Sequence, residues 1–239
     1  MPLVVEKIHA GYSSDINVLR GVSLTVGDGR ATVVLGPNGS GKSTLLKTIY
    51  GYLKPVSGRI LLNNQEITGK KPHEMLKLGI AYISQDKGIF PKLTVEENLK
   101  TGLWPYRQNK ELIRKKLDEI YERFPILKTR RNEKATFLSG GQQRILQIAK
   151  ALLTNPDYIL MDEPSTGLSP VAVEEIFNII KELKKERKSI LLVEQNVRKA
   201  LTIADDVYII ELGQNKVNGS KEEIEDKLED ILGIWGFRR

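Results

Sequence analysis

The sequence predicts an α/β fold with a mainly parallel sheet, and three observations predict it. The apolar run Ala31 to Leu35 leads straight into a glycine-rich loop, and Leu45, Leu46 and Ile49 follow that loop at helical spacing. Two further short apolar runs, Tyr158 to Met161 and Ser189 to Val193, sit beside stretches of helical periodicity, the alternation that parallel sheets require. Leu3 to Ile8 and Val22 to Val26 instead alternate apolar and polar residues, which predicts half-buried strands.

The chain has 239 residues, enough for one large domain or two small ones, with a full core. No apolar run approaches the ~18 residues that a membrane-spanning helix needs. Met1-Pro2-Leu3-Val4-Val5-Glu6 reads as the start of a strand rather than as a signal peptide. Without cysteine there is no disulfide framework and no thiolate metal site. The formal net charge of +7 is spread along the chain, so it reads as a solvated Lys/Glu-rich surface rather than a patch for nucleic acid or anionic lipid.

Between the first two strands lies a turn-like run, His9 to Ser14. Its Tyr12 can stack on a purine ring or simply pack. The loop Gly36-Pro37-Asn38-Gly39-Ser40-Gly41-Lys42-Ser43-Thr44 has the spacing Gly, four residues, Gly-Lys-Ser, between a strand and a helix. Glycines leave room for backbone N–H groups to touch phosphate oxygens, and the helix start adds partial positive charge there. Lys42 then reaches the outer phosphates and the Ser43 hydroxyl can ligate Mg²⁺. Gly51 stops the helix, Gly58 to Leu62 is a short strand, and Asn63-Asn64 a hairpin-type turn.

Gly79 to Gln85 is a strand that ends in a polar residue; Gln85 could ligate Mg²⁺, hold a water, or have no task. From Pro91 to Phe137 the texture becomes helical. Thr94-Val95-Glu96-Glu97 is a cap with an acidic first turn, and Leu112, Ile113, Leu117, Ile120, Tyr121 and Phe124 form one amphipathic face closed by Pro125. This stretch reads as a helical insertion. Leu138-Ser139-Gly140-Gly141-Gln142 follows, with Ser139 and Gln142 spaced as a capping box. The two glycines cost helix stability yet bare a helix N-terminus toward an anion.

The strand Tyr158 to Met161 runs into Asp162-Glu163. Carboxylates at the carboxyl end of a parallel strand face the ligand crevice, where one can hold Mg²⁺ and the other orient an attacking water. Pro170 opens a helix with Ile176, Ile180 and Leu183 inward, Ser189 to Val193 is a strand, and Asp206 to Leu212 another, turned by Gly213-Gln214-Asn215. In the tail, Ile224, Leu228, Ile231 and Trp235 share one helical stripe. The expected division is a single domain over 1–239: core residues 1–85, the helical insertion 86–137, the rest of the core 138–220, and a helical tail 221–239.

The phosphate loop, Gln85, Leu138-Ser139-Gly140-Gly141-Gln142 and Asp162-Glu163 occur in the order seen in ATP-binding-cassette ATPases, and the chain is identified as a member of that family. Within it, Ile89-Phe90-Pro91-Lys92-Leu93-Thr94-Val95-Glu96-Glu97-Asn98-Leu99 and Leu192-Val193-Glu194-Gln195-Asn196 resemble the ATP-binding subunits of branched-chain amino acid importers. Urea and lipopolysaccharide transport ATPases look similar.

The resemblance implies a P-loop NTPase core that carries an N-terminal antiparallel β subdomain and the helical insertion subdomain. It implies ATP as ligand, ADP as product and Mg²⁺ as cofactor. Tyr12 would stack on adenine, Gly36 to Thr44 hold the phosphates, Ser43, Gln85 and Asp162 serve Mg²⁺, and Glu163 polarise the water. Leu138 to Gln142 would meet the γ-phosphate of a second ATPase subunit, identical or not. The insertion would meet integral membrane permease subunits, placing the chain in the cytoplasm on the inner face of the cell membrane, with no nucleic acid partner.

Two residues depart from the family pattern. Gln195 stands where a switch histidine is usual, and Ser169 where aspartate is usual. They keep open a regulatory subunit that binds ATP with weak hydrolysis, which Glu163 opposes. A chromosome-maintenance ATPase would need a long coiled-coil insertion, which the short helical segment lacks.

Overall fold

The computed structural model describes residues 2–12, 17–86 and 88–226. The chain begins with β1 (Leu3–Ala10), β2 (Leu19–Val26), β3 (Ala31–Leu35) and α1 (Lys42–Ile49). It continues through β4 (Ser57–Leu62), β5 (Gln65–Glu66), α2 (Pro72–Lys77) and β6 (Ile80–Ile83). Four helices follow: α3 (Val95–Gly102), α4 (Lys110–Arg123), α5 (Pro125–Thr129) and α6 (Gly140–Leu152). The last part is β7 (Tyr158–Asp162), α7 (Pro170–Lys185), β8 (Ser189–Val193), α8 (Val197–Leu201), β9 (Asp206–Glu211), β10 (Gln214–Ser220) and α9 (Lys221–Glu225).

The strands make two sheets. One has the order β2-β1-β4-β5 and is antiparallel; the other has the order β10-β9-β3-β8-β7-β6. In the second every pair is parallel except β9 with β10. The fold is therefore α/β, with a mainly parallel sheet and a separate antiparallel sheet.

Period-2 side-chain alternation divides the core in two. Val33, Leu35, Ile159, Met161, Ile190 and Leu192 join α3, α4, α6 and α7 in one cluster. Val34, Leu160, Leu191 and Val193 join α1 and the antiparallel sheet in the other. Because both faces of β3, β7 and β8 are covered, each reads as an unbroken apolar run rather than an alternation.

Local signals act as their chemistry requires. Asn63 and Asn64 take positive φ of 53° and 63°, the two-residue turn that joins β4 to β5. Leu117, Ile120, Tyr121 and Phe124 are buried, while Leu112 and Ile113 are half-buried on the same face of α4. Pro125 does more than close α4, since it is the first residue of α5.

One turn differs from the sequence reading. The chain reverses at Leu212 and Gly213, with φ of 49° and 77°, and Gln214 and Asn215 already belong to β10. That strand is polar and lies at the sheet edge, so no apolar alternation announces it. In the tail, Ile224 is buried on α9, and Leu228, Ile231 and Trp235 lie outside the described residues.

Candidate functional site

Register brings the polar residues together. Val193 of β8 pairs with Val34 of β3 on one side and Asp162 of β7 on the other. The residues just past this row therefore emerge at one edge: the loop from Gly36, then Glu194 and Gln195, then Glu163. The ladder runs one step further, since the Glu163 N–H donates to the Val193 carbonyl at 2.9 Å.

The loop wraps the start of α1. Gly39 and Gly41 hold positive φ of 79° and 104°, and a Cβ on Gly41 would lie 2.8 Å from the Leu19 side chain. Gly41 caps α1 with no side chain, so the first N–H groups of the helix face the cavity. Lys42 is 4% exposed; its ammonium donates to the Gly36 carbonyl at 2.8 Å and the Pro37 carbonyl at 3.0 Å, and lies 4.0 Å from Glu163 Oε1. Burial pulls its pKa down, and Glu163 and Asp162 oppose that. Among the described residues the buried Ser40 hydroxyl has no hydrogen-bond partner.

Asp162 is buried with both oxygens engaged. The Ser43 hydroxyl donates to Oδ1 at 2.8 Å and the Tyr82 hydroxyl donates to Oδ2 at 2.9 Å. Burial pushes this carboxyl above the usual range, and the two hydroxyls pull it back. Glu163 takes a positive φ of 46°, an uncommon conformation for a non-glycine residue. Its Oε2 accepts from the Gln195 amide at 2.6 Å, the Gln85 amide at 3.1 Å and the Thr166 hydroxyl at 3.2 Å.

Helix α6 fixes the Gln85 segment from behind. The Arg144 guanidinium donates to the Ser84 and Gln85 carbonyls at 2.8 and 2.9 Å, and the Gln147 amide donates to the Ser84 and Asp86 carbonyls at 3.0 and 2.8 Å. Ser139 and Gln142 form the capping box of α6. A Cβ on Gly141 would meet the Ala172 methyl at 2.8 Å, so this glycine also permits α6 to approach α7.

A cavity of about 480 Å³ collects these groups; Tyr12, Asn38, Gly39, Gly41, Lys42, Ser43, Thr44, Gln85, Glu163 and Gln195 line it. Gly36 and Pro37 meet the cavity through Lys42, and Asp162 through Ser43; Ser40 is buried in the loop behind them. Tyr12 stands at the rim, 63% exposed, with the Lys47 ammonium 5.6 Å from its ring centre. Leu138 to Gln142 do not line the cavity.

Sequence reading passed over Tyr82, Arg144, Gln147, Thr166 and Glu194. Tyr82 and Glu194 sit on or beside strands already assigned, and only the fold reveals which carboxylate or backbone each meets.

The sequence model of the family described as "ABC transporter" matches residues 19–166. The probable branched-chain amino acid transport ATP-binding protein LivF of Archaeoglobus fulgidus is 42% identical over 232 residues, covering 95% of this chain and 97% of its own. The high-affinity branched-chain amino acid transport ATP-binding protein BraG of Pseudomonas aeruginosa is 38% identical over 203 residues, covering 85% and 86%. The crystal structure of the ADP conformation of MJ1267, an ATP-binding cassette of an ABC transporter, superposes with a TM-score of 0.83 at 36% identity, covering 96% of each chain. Phosphate loop, carboxylate pair and overall likeness agree: the chain belongs to the ABC transporter family, as one of its ATP-binding cassettes.

Proposed function

We propose that this chain binds MgATP in the cavity above β3, β7 and β8, hydrolyses it, and so energises a membrane transporter that imports branched-chain or other amino acids. The observation that carries the reading is the meeting of Lys42, Ser43, Asp162 and Glu163 at one sheet edge, with Lys42 4.0 Å from Glu163 and Ser43 2.8 Å from Asp162. A cation on one side and carboxylates on the other suit a phosphate chain and its metal.

In this reading Gly36 to Thr44 and the N-terminus of α1 hold the phosphates, and Lys42 turns from its two carbonyls toward them. Ser43, Asp162 and the Gln85 amide oxygen are hard oxygen donors of the kind Mg²⁺ takes, with phosphate oxygens completing its shell. Bound Mg²⁺ would neutralise charge on the phosphates. Glu163 takes the proton of the attacking water, and Gln195 and Gln85 aim its carboxylate. Tyr12 offers its exposed ring to the adenine.

Leu138 to Gln142 stand outside the cavity of their own chain, which supports their serving the nucleotide of a second ATPase subunit. A wider cleft of about 780 Å³, lined by Tyr50, Tyr52, Tyr82 and Trp104 among others, is the place where permease subunits would meet α3 and its neighbours. Among the described residues no helix is long and apolar enough to cross a membrane. The chain would then sit at the inner face of the cell membrane, held by those subunits.

The test is phosphate release from MgATP by the full chain and by Glu163→Gln. Loss of a positioned base costs typically ~10²-fold or more. Turnover unchanged in Glu163→Gln would sink the catalytic reading and leave an ATP-binding regulatory subunit. Sedimentation of Glu163→Gln with ATP should show pairing that is absent without nucleotide. Co-purification in mild detergent identifies the permease chains and their solute.

A further inference from the structure

Glu194 has no part in the roles above, yet it is a carboxylate only 1% exposed. Burying a carboxylate is costly unless its lone pairs are satisfied. Here they are satisfied by backbone: Oε1 accepts from the Ser165 N–H at 3.1 Å, and Oε2 from the N–H groups of Gln195 and Asn196 at 3.1 and 3.4 Å. Ser165 belongs to the turn after β7, and Gln195 and Asn196 to the turn after β8. One side chain thus ties two loops that are 29 residues apart in sequence.

The tie is not needed to start α8. Asn196 caps that helix with its own side chain, which accepts from the Lys199 N–H at 3.1 Å. What it governs is the pair of donors on Glu163 Oε2. Gln195, at 2.6 Å, is itself held by Glu194; Thr166, at 3.2 Å, directly follows the held Ser165.

We propose that Glu194 is a positioning residue: it joins the two turns so that the Gln195 amide and the Thr166 hydroxyl meet at one oxygen of Glu163. The proposal rests on the reading that Glu163 is the general base. Glu194 is buried and does not line the cavity, so it acts only through the residues it holds. Glutamine at this place keeps the shape but presents an NH₂ to one of the two turns, leaving N–H facing N–H.

The experiment is a mutant cycle in the full chain, read by MgATP turnover and by amide hydrogen exchange. Glu194→Gln should lower kcat about tenfold and leave KM for MgATP within ~2-fold, because ground-state binding is untouched. In a Gln195→Ala, Thr166→Val background the same change should cost less than ~2-fold, since the residues it positions are gone. An equal loss in both backgrounds overturns the proposal and makes Glu194 merely structural.

Exchange is independent of turnover. Glu194→Gln should speed exchange of the Ser165 and Gln195 amides together, and an unchanged Ser165 amide overturns the tie. Should that variant fold poorly, Glu194→Asp is the second: it keeps the charge but is one methylene short. It should release one turn and show the same non-additivity, and an additive loss again overturns the proposal. Glu163→Gln in the same assay separates the two ideas. If it leaves turnover intact the catalytic reading fails; if it abolishes turnover while Glu194→Gln is additive, only the positioning role fails.

Discussion

The side-chain amide of Gln195 donates to Glu163 Oε2 across 2.6 Å, and Gln85 reaches the same oxygen at 3.1 Å. A glutamine stands where the family usually has histidine, and it is aimed at the proposed base. It supplies a neutral donor that orients the carboxylate.

Gln195→Ala should therefore lower turnover by about tenfold, the worth of one hydrogen bond to a charged group in the transition state. The affinity for MgATP should hold. Gln195→Glu should do worse, because it sets a second carboxylate against Glu163. Steady-state phosphate release with a separate binding titration checks both; a loss confined to KM would place Gln195 in nucleotide binding instead.

Lys42 is expected to carry much of the phosphate affinity. Its ammonium is held on the Gly36 and Pro37 carbonyls at 2.8 and 3.0 Å and is nearly sealed from solvent. Charge-assisted bonds to phosphate contribute about 1.5–3 kcal/mol each. Lys42→Ala should weaken MgATP binding at least tenfold in a calorimetric titration, and unchanged affinity would refute the loop assignment.

Arg144 should matter although it does not line the cavity. Its planar fork spans the Ser84 and Gln85 carbonyls, and burial pulls its pKa down while the nearby Glu194, Asp162 and Asp86 carboxylates oppose that. Lysine cannot bridge two carbonyls with the same geometry. Arg144→Lys should lower stability by about 1–3 kcal/mol and loosen residues 84 to 86, as buried carbonyls lose their donors. Urea unfolding and amide exchange measure the two effects; loosening elsewhere with residues 84 to 86 still protected would show that α6 does not hold the Gln85 segment.

Much of this was legible in the chain. Gly36 to Thr44 announced itself because its chemistry depends on contiguous residues between a strand and a helix. Asp162 and Glu163 were legible for the same reason, as acids at the end of an apolar strand. β10 was not, since Gln214 to Ser220 has no apolar period and is held by backbone pairing to β9. Tyr82, Thr166 and Glu194 were not, because each owes its place to a partner that another element brings: β7 to Tyr82, and the turns after β7 and β8 to each other. Gly141 was read for a bare helix end alone, whereas its contact with Ala172 depends on where α7 packs.

Tyr82 gives the last prediction. Its hydroxyl donates to Asp162 Oδ2 at 2.9 Å while Ser43 holds Oδ1 at 2.8 Å, so the carboxylate is gripped from both sides. Its ring packs with Tyr50 and Tyr52, centroids 5.3 and 5.7 Å away, in the wall of the wider cleft. Tyr82→Phe keeps that packing and removes only the donor. Asp162 would then be free to rotate, and its buried charge would lose a stabilising bond worth about 1.5–3 kcal/mol at most. Part of that loss should fall on Mg²⁺. The Mg²⁺ concentration for half-maximal MgATP binding should rise roughly three- to tenfold. Binding of ATP in excess chelator should not change, since Lys42 and the loop are untouched. Tyr52→Phe, which removes a hydroxyl that does not reach Asp162, should leave the Mg²⁺ requirement where it was. Equal Mg²⁺ curves for Tyr82→Phe and the unaltered chain would show that Ser43 alone orients Asp162. A parallel loss of Mg²⁺-free binding would show that Tyr82 supports the cavity wall rather than the carboxylate.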